Sequence, residues 1–360
     1  MPKAAGATRT RGLPAQQAQG RSGELDVLVG EVRTTLLQNS HQVNADTVAR
    51  LLDLDPGGRV RTASRPYSHA ISPDLRTGVH CPLVTGSGAA ADGIGTVLAR
   101  ASLTGGTILQ ASARAHLVRA TSERRLPWSH YIADPGVIEV SGRSGGQDLV
   151  SGFLGDMAGA PIRDRSHAAL DLGSVGSRLL DRIQRMPYID RSPMLRARRT
   201  RLRFAVIWQP PDEAVPERPA PDIEFVVHDE SLRTLCLYLP PTTHDLADIV
   251  AACENLALHD WLLSTVAALV ENSRIGADPA SAVVARIRPT IDHLLHLWMP
   301  AAGVAQNLSE IWAALEHSPG FSRQWASLCG QIQNQLLLAI LEGPRAVGPG
   351  GPQLSGGRPG

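Results

Sequence analysis

Residues Gly95–Ala120 read GTVLARASLTGGTILQASARAHLVRA. Two runs rich in β-forming residues flank Gly105–Gly106. A Gly-Gly pair between such runs is a strong hairpin signal, because tight hairpin turns need positive φ. The stretch predicts a β-rich unit, and its surroundings agree. LDVLVGEVRTTLL (25–37) reads as a strand. NADTVARLLDL (44–54) predicts a short helix capped by Asn44 or Asp46. RLPWSHYI (125–132) reads as a turn into a short helical piece, and VIEV (137–140) as another strand. A helix is predicted over about 176–186.

Further along, RTRLRFAVIW (199–208), IEFVVHD (223–229) and LRTLCLYL (232–239) predict a three-stranded antiparallel meander. The linker 209–221 carries five prolines and cannot be a central strand. From 243 to 342 the chain reads as helical. In its first helix Leu246, Ile249, Val250, Cys253, Ala257, Trp261, Val266, Leu269 and Val270 recur near one face, the amphipathic signature. A second helix runs through ASAVVARIRPTIDHLLHLWM (280–299), with Pro289 as a kink or restart. NLSEIWAALEHS (307–318), capped by Asn307 or Ser309, and GFSRQWASLCGQIQNQLLLAILEG (320–343) complete a bundle. The expected class is α+β: a β-rich N-terminal domain, then an antiparallel meander packed with a C-terminal helical bundle. The boundaries are a β-rich α+β domain over 23–165, the meander and bundle over 166–343, and Gly/Pro/Arg-rich disordered tails at 1–22 and 344–360.

Composition narrows the chemistry. Apolar residues make up 43% of the 360, and the net charge is +1, so nothing drives the whole chain toward nucleic acid or acidic membranes. The only lysine is Lys3; a GC-rich coding sequence accounts for that. A chain without lysine in its body cannot form a pyridoxal Schiff base or place a P-loop lysine on a phosphate. No cofactor is expected. Cys81, Cys236, Cys253 and Cys329 form no C-x-x-C pair and read as reduced thiols of a cytoplasmic protein. The N-terminus lacks the apolar core of a signal peptide. LALHDWLLSTVAALV (256–270) is too short and too interrupted for a membrane span.

Several motifs invite chemistry. His259 and Asp260 are adjacent, so on a helix they point about 100° apart and cannot share a face. They read as parts of a packed helix, with Asp260 at the edge of the apolar face. Asp292 and His296 stand four apart beside His293, a spacing that can orient an imidazole. No Glu of an H-E-x-x-H motif and no nearby third ligand accompany them, so a polar contact competes with catalysis, and no metal is expected. GRSGG (142–146) matches the G-x-S-x-G elbow around Ser144, but a chain with 34 glycines produces such matches readily. GSGAAADGIG (86–95) reads as a surface loop.

RARRTRLR (196–203) holds five arginines in eight residues. Strand alternation places Arg199, Arg201 and Arg203 on one face, either solvated, docking an acidic partner, or, less favoured, gripping nucleic acid. Aromatic platforms for single strands are missing nearby. RLPWSHYIADPG (125–136) gathers Arg125, Trp128, His130 and Tyr131 in a loop, the composition of a binding surface. Trp298 and Trp325 join it as candidates for a partner-facing surface.

The phrases RVRTASRPYSHAISPDLRTGVHCPL, RLPWSHYIADPGVIEV, LALHDWLL and HLLHLWMP resemble a family of uncharacterised actinobacterial proteins, over most of residues 24–342. That resemblance supplies no catalytic residues. It implies a gene neighbourhood shared with a ParA/MinD-like variant P-loop ATPase, and hence a subunit of a multi-protein system. The reading is a non-enzymatic adaptor or scaffold with a protein partner. The alternative is an enzyme using His130 or the Asp292/His296 pair.

Overall fold

The computed structural model describes residues 25–155, 169–208, 222–240, 245–300, 302, 305 and 308–342. The expected tails, the proline-rich linker and Asn307 lie outside the described residues. In chain order the strands are β1 (Asp26–Leu36), β2 (Arg61–Ala63), β3 (His69–Ile71), β4 (Leu75–Leu83), β5 (Ala91–Thr104), β6 (Ile108–Arg119), β7 (Val137–Ser141), β8 (Thr200–Trp208), β9 (Asp222–Val227) and β10 (Leu232–Leu239). The helices are α1 (Ala45–Leu52), α2 (Trp128–Tyr131), α3 (Gly146–Gly155), α4 (Leu172–Gln184), α5 (Leu246–Asn272), α6 (Ala280–His293), α7 (Ser309–His317) and α8 (Phe321–Glu342). The class is α+β, with the strands concentrated toward the N-terminus and the longer helices toward the C-terminus.

The hairpin forms as its sequence demands. Gly105 and Gly106 both sit in the left-handed region, at φ of 59° and 62°, and Thr107 N–H closes the turn on the Thr104 carbonyl. β5 and β6 pair from Thr104–Ile108 down to Leu98–Arg114. Beyond that point they splay, and β7 enters the fork, antiparallel to β5 and parallel to β6. Among the described residues ten strands make one mixed sheet, ordered β2-β3-β5-β7-β6-β1-β8-β10-β9, with β4 on β5. The stretch 86–95, expected to be loop throughout, becomes strand from Ala91 because β4 and β7 both pair with it.

The three strands expected as a meander are neighbours in a different sense. β9 and β10 are antiparallel, whereas β10 runs parallel to β8. Burial explains the order. All but one residue of β10 is buried, while in β9 only Phe225 of the six is. The more apolar strand takes the inner position. β8 pairs with β1, so the N-terminal and C-terminal strands share the sheet.

Alternation along the central strands sends side chains into two cores. On one face Val27, Val29, Ala99, Ala111 and Ala113 meet Leu179, Leu180 and Ile183 of α4, with α1 and α3 alongside. On the other, Leu28, Val32, Leu202, Phe204 and Leu237 meet α5 and, behind it, α6, α7 and α8. α4 begins at Leu172, earlier than expected, because Asp171 caps it by accepting the Ser174 N–H at 2.9 Å. α1 is capped by Asn44, which accepts from Thr47 N–H.

α5 departs most from expectation. It is not amphipathic: Glu254, Asn255, His259 and Asp260 are buried along with its apolar residues. Over its middle, from Ile249 to Val266, the sheet covers one side and the C-terminal helices the other, and a stretch so enclosed has almost no solvent face. Among the described residues no helix is long and apolar enough to cross a membrane.

Close strand contact fixes one glycine. Gly30 stands opposite Phe204 in the β1–β8 register, and a Cβ there would lie 2.1 Å from the ring. Phe204 is fully buried and has nowhere to go. Gly30→Ala is therefore expected to cost about 3 kcal/mol by overpacking. In the Phe204→Leu background, which makes room, the same change should cost clearly less. Urea denaturation of the four proteins measures the coupling; additive costs would show that the ring does not set the requirement.

Candidate functional site

The hairpin turns its polar side chains toward α5. Arg100 on β5 and Ser112 on β6 stand opposite each other, and both bind Glu254. Arg100 makes two parallel bonds, Nε to Oε1 at 2.8 Å and Nη2 to Oε2 at 2.7 Å. The Ser112 hydroxyl donates to Oε1 at 2.5 Å. Gln110 Nε2 donates to the Glu254 carbonyl at 3.1 Å and to Thr34 Oγ1 at 3.0 Å. Burial alone would raise the Glu254 carboxyl. The Arg100 charge and the hydrogen bonds from Arg100 and Ser112 outweigh it and hold the group below the usual carboxylate range.

A second pair docks the same helix farther along the sheet. Arg233 on β10 reaches Asp260 at 3.1 Å and donates to Ser264 Oγ at 3.0 Å. Here burial prevails, and the Asp260 carboxyl is raised despite Arg233. His259 turns the other way, as its position one residue earlier requires. Its ring packs edge-on against Trp298 and Trp312, with centroids 5.1 Å and 5.6 Å away. Nδ1 donates to the Asn255 carbonyl at 2.8 Å, and Nε2 accepts the Met299 N–H at 3.3 Å.

Beside Glu254 lies a cavity of about 180 Å³ between the β2–β3 connection and α5. Tyr67, His69, Gln110, Glu254 and Asn255 line it, and exposed Arg65 stands among the lining residues. His69 Nδ1 is tied to Thr104 Oγ1 at 2.8 Å. Burial lowers the pKa of that imidazole, while Glu254 and Arg100 act on it in opposite senses. Asn255 is 8% exposed, and its Oδ1 is buried without a hydrogen-bond partner. None of these residues except Arg65 and Tyr67 belongs to an exposed or aromatic loop phrase. The polar positions of the hairpin and the Glu254–Asn255 pair inside an apolar helix were the available signal.

The residues singled out from sequence lie apart. Trp128, 41% exposed, and Tyr131 meet edge-on at 5.8 Å; Tyr131 Oη accepts the Leu126 N–H at 3.0 Å. His130 Nε2 lies 2.6 Å from Glu139 Oε1, and Arg125 is exposed. Arg125, Trp128 and His130 are exposed around α2, whereas Tyr131 beneath them is buried. Trp298 and Trp325 do not join it: they stack on each other at 4.3 Å against the α5 core. Of the arginine block, Arg203 is buried rather than solvated. It bonds Glu31 at 3.0 Å and the Phe153 carbonyl at 3.2 Å, because α3 and α4 cover that strand face. Arg199 pairs with Asp181 at 3.4 Å, Arg198 with Glu230, and Arg201 is half-buried. The acids that face this block come from the chain itself.

Asp292, His293 and His296 do not converge. α6 ends at His293, so His296 falls on a separate turn, and Asp292 pairs with Arg288 at 3.4 Å. Ser144 follows β7 and precedes α3, the strand-turn-helix order of a nucleophile elbow. Its Oγ, however, is buried and bonded to nothing among the described residues, whereas an elbow exposes it to a base. Among the described residues no three His, Cys, Asp or Glu side chains gather as a metal site. Compared with known proteins, the chain matches no family model, no curated sequence and no solved structure.

Two outcomes follow for α5. Arg100→Leu leaves the Glu254 carboxylate buried and uncompensated, and should cost about 4 kcal/mol. Adding Glu254→Leu should recover most of that loss in urea denaturation; a double variant as weak as the single would refute the pairing. For His259, burial pulls the pKa down to about 4, against 6.5 in the unfolded chain. Between those values the unfolded state binds more protons, so this residue's contribution falls as pH falls. From pH 7 to pH 5 the wild type should lose about 2 kcal/mol more than His259→Gln. Equal losses would mean that the ring titrates normally.

Proposed function

We propose that this protein is a non-enzymatic adaptor subunit of a multi-protein system that includes a ParA/MinD-like P-loop ATPase, and that the C-terminal end of α8 is the face that meets its partner. One observation carries the reading. Leu337, Leu338, Ile340 and Leu341 are exposed on the last two turns of α8, at 59%, 45%, 71% and 71%. Earlier in the helix Phe321, Trp325 and Ile332 are buried in the core, so α8 is anchored at one end and presents aliphatic side chains at the other. Four large aliphatic side chains clustered in two turns are what a groove-binding helix offers. Burial contributes about 2 kcal/mol for each.

The chain's own C-terminal segment is a poor cover for them. Residues 343–360 contain Val347 and Leu354 as their only large apolar side chains, among glycines and prolines. A partner of apolar character fits better, and the P-loop ATPase that the sequence resemblance implies is the first candidate.

The test is co-purification of the tagged full chain with that ATPase. A stoichiometric complex is expected, lost in Leu337→Asp/Leu341→Asp. Both positions are exposed, so the double variant should keep its folding stability within about 0.5 kcal/mol. No complex under gentle conditions, or a complex indifferent to the two changes, would overturn the proposal. So would a dimer of the chain that the same changes dissolve, since the face would then belong to a second copy.

A further inference from the structure

We propose that the cavity between the β2–β3 connection and α5 binds a small carboxylate that also carries an amide or hydroxyl group. The proposal is independent of the adaptor reading, since no residue of α8 lines the cavity. The first argument is the state of Asn255. Asn255 lines the cavity, is more than nine-tenths buried, and its side chain forms no hydrogen bond among the described residues; Oδ1 is shut away from solvent, which leaves the unbonded Nδ2 as the donor open to a guest. A native core seldom leaves an amide so placed, because an unmade buried bond costs about 1–3 kcal/mol. The neighbouring polar groups are spent by contrast. Gln110 and Glu254 are committed to Thr34, Arg100, Ser112 and each other. The unbonded Asn255 Nδ2 is therefore the group with something to offer.

The second argument is charge. Arg100 neutralises Glu254 within the lining, and His69 is held toward its neutral form by burial. Arg65 forms no ion pair among the described residues and leaves an unbalanced positive charge at the exposed side of the cavity. The Tyr67 hydroxyl and His69 Nε2, likewise without partners among the described residues, stand beside it as neutral hydrogen-bonding groups. An anionic end toward Arg65 and Tyr67, and an amide carbonyl or hydroxyl oxygen that accepts from Asn255 Nδ2, satisfy these groups together.

The third argument is size. A cavity of about 180 Å³ holds the bulk of roughly six waters. Pockets for drug-sized ligands begin at about 300 Å³. A nucleotide is too large. Ile71, Ala251 and Leu258 give the remaining wall an aliphatic character, suited to a short carbon chain.

The experiment uses the full chain and N-acetylglycine as the probe, with butyrate and N-methylacetamide as controls that lack the amide and the carboxylate in turn. Saturation-transfer NMR and calorimetric titration read binding. N-acetylglycine is expected to bind in the millimolar range and at least tenfold more tightly than either control. Arg65→Gln, at an exposed position, should weaken it about tenfold. Asn255→Leu should abolish it without lowering the melting temperature, since the unpartnered amide is gone. No transfer to N-acetylglycine at 10 mM would overturn the proposal and leave a cavity filled by water alone. Binding that is equal for the controls, or untouched by Arg65→Gln, would overturn it too. Because Arg65 is exposed, that variant keeps the proposal refutable even if Asn255→Leu fails to fold.

Discussion

The carboxylate of Glu254 is the constraint around which this fold is arranged. It sits inside a three-layer protein, in the buried middle of α5, and a lone buried charge there would cost several kcal/mol. The hairpin answers it from two strands at once. Arg100 supplies the counter-charge in a bidentate geometry, and Ser112 and Gln110 fill the remaining bonds. That requirement fixes which residues of β5 and β6 stand opposite each other, and which turn of α5 lies over them. The Arg233–Asp260 pair repeats the device on the far side of β1. Between the two pairs, Leu28, Val32, Leu202, Phe204 and Leu237 supply the apolar contact. The ion pairs add little net stability by themselves; what they give is a single way to lay the helix on the sheet.

The opposite face carries a third buried charge group. Glu31 lies between Arg33 at 2.9 Å and Arg203 at 3.0 Å, beneath α3 and α4. So both faces of the central strands combine small or branched apolar side chains with a neutralised carboxylate. This accounts for a body rich in arginine, whose fork matches a carboxylate and whose charge persists when buried. It also explains why the arginine block at 196–203 looked like a surface from its sequence and proved partly internal.

Much of the fold was legible. The Gly105–Gly106 hairpin, the strand at Asp26, the Asn44 cap and the α+β class all follow from local rules of turn, cap and pattern. Three things were not. Periodicity locates α5 but cannot tell a helix with one buried face from a helix with none, because that depends on what packs behind it. The order of β8, β9 and β10 depends on which strand is the more apolar, and a meander is only the simplest connection. The cavity was invisible because its parts come from four distant segments: residues 63–71, Gln110, the 251–258 stretch of α5 and Ala302. Sequence attention went instead to aromatic and charged phrases. Of these, Trp128 and His130 are exposed beside a buried Tyr131, while Asp292 and His296 are parted by the end of α6.

If α5 is the element that both halves of the sheet close upon, its backbone should open only when the whole molecule unfolds. Native-state hydrogen exchange reads this directly. The amides of Cys253–Leu262 should share the slowest exchange with those of β1, β5 and β6, and should respond to denaturant with the slope of global unfolding. Exchange of α5 together with α6 and α8, faster than the strands and with a smaller slope, would contradict the account. It would show a helical layer that detaches from a sheet able to stand without it.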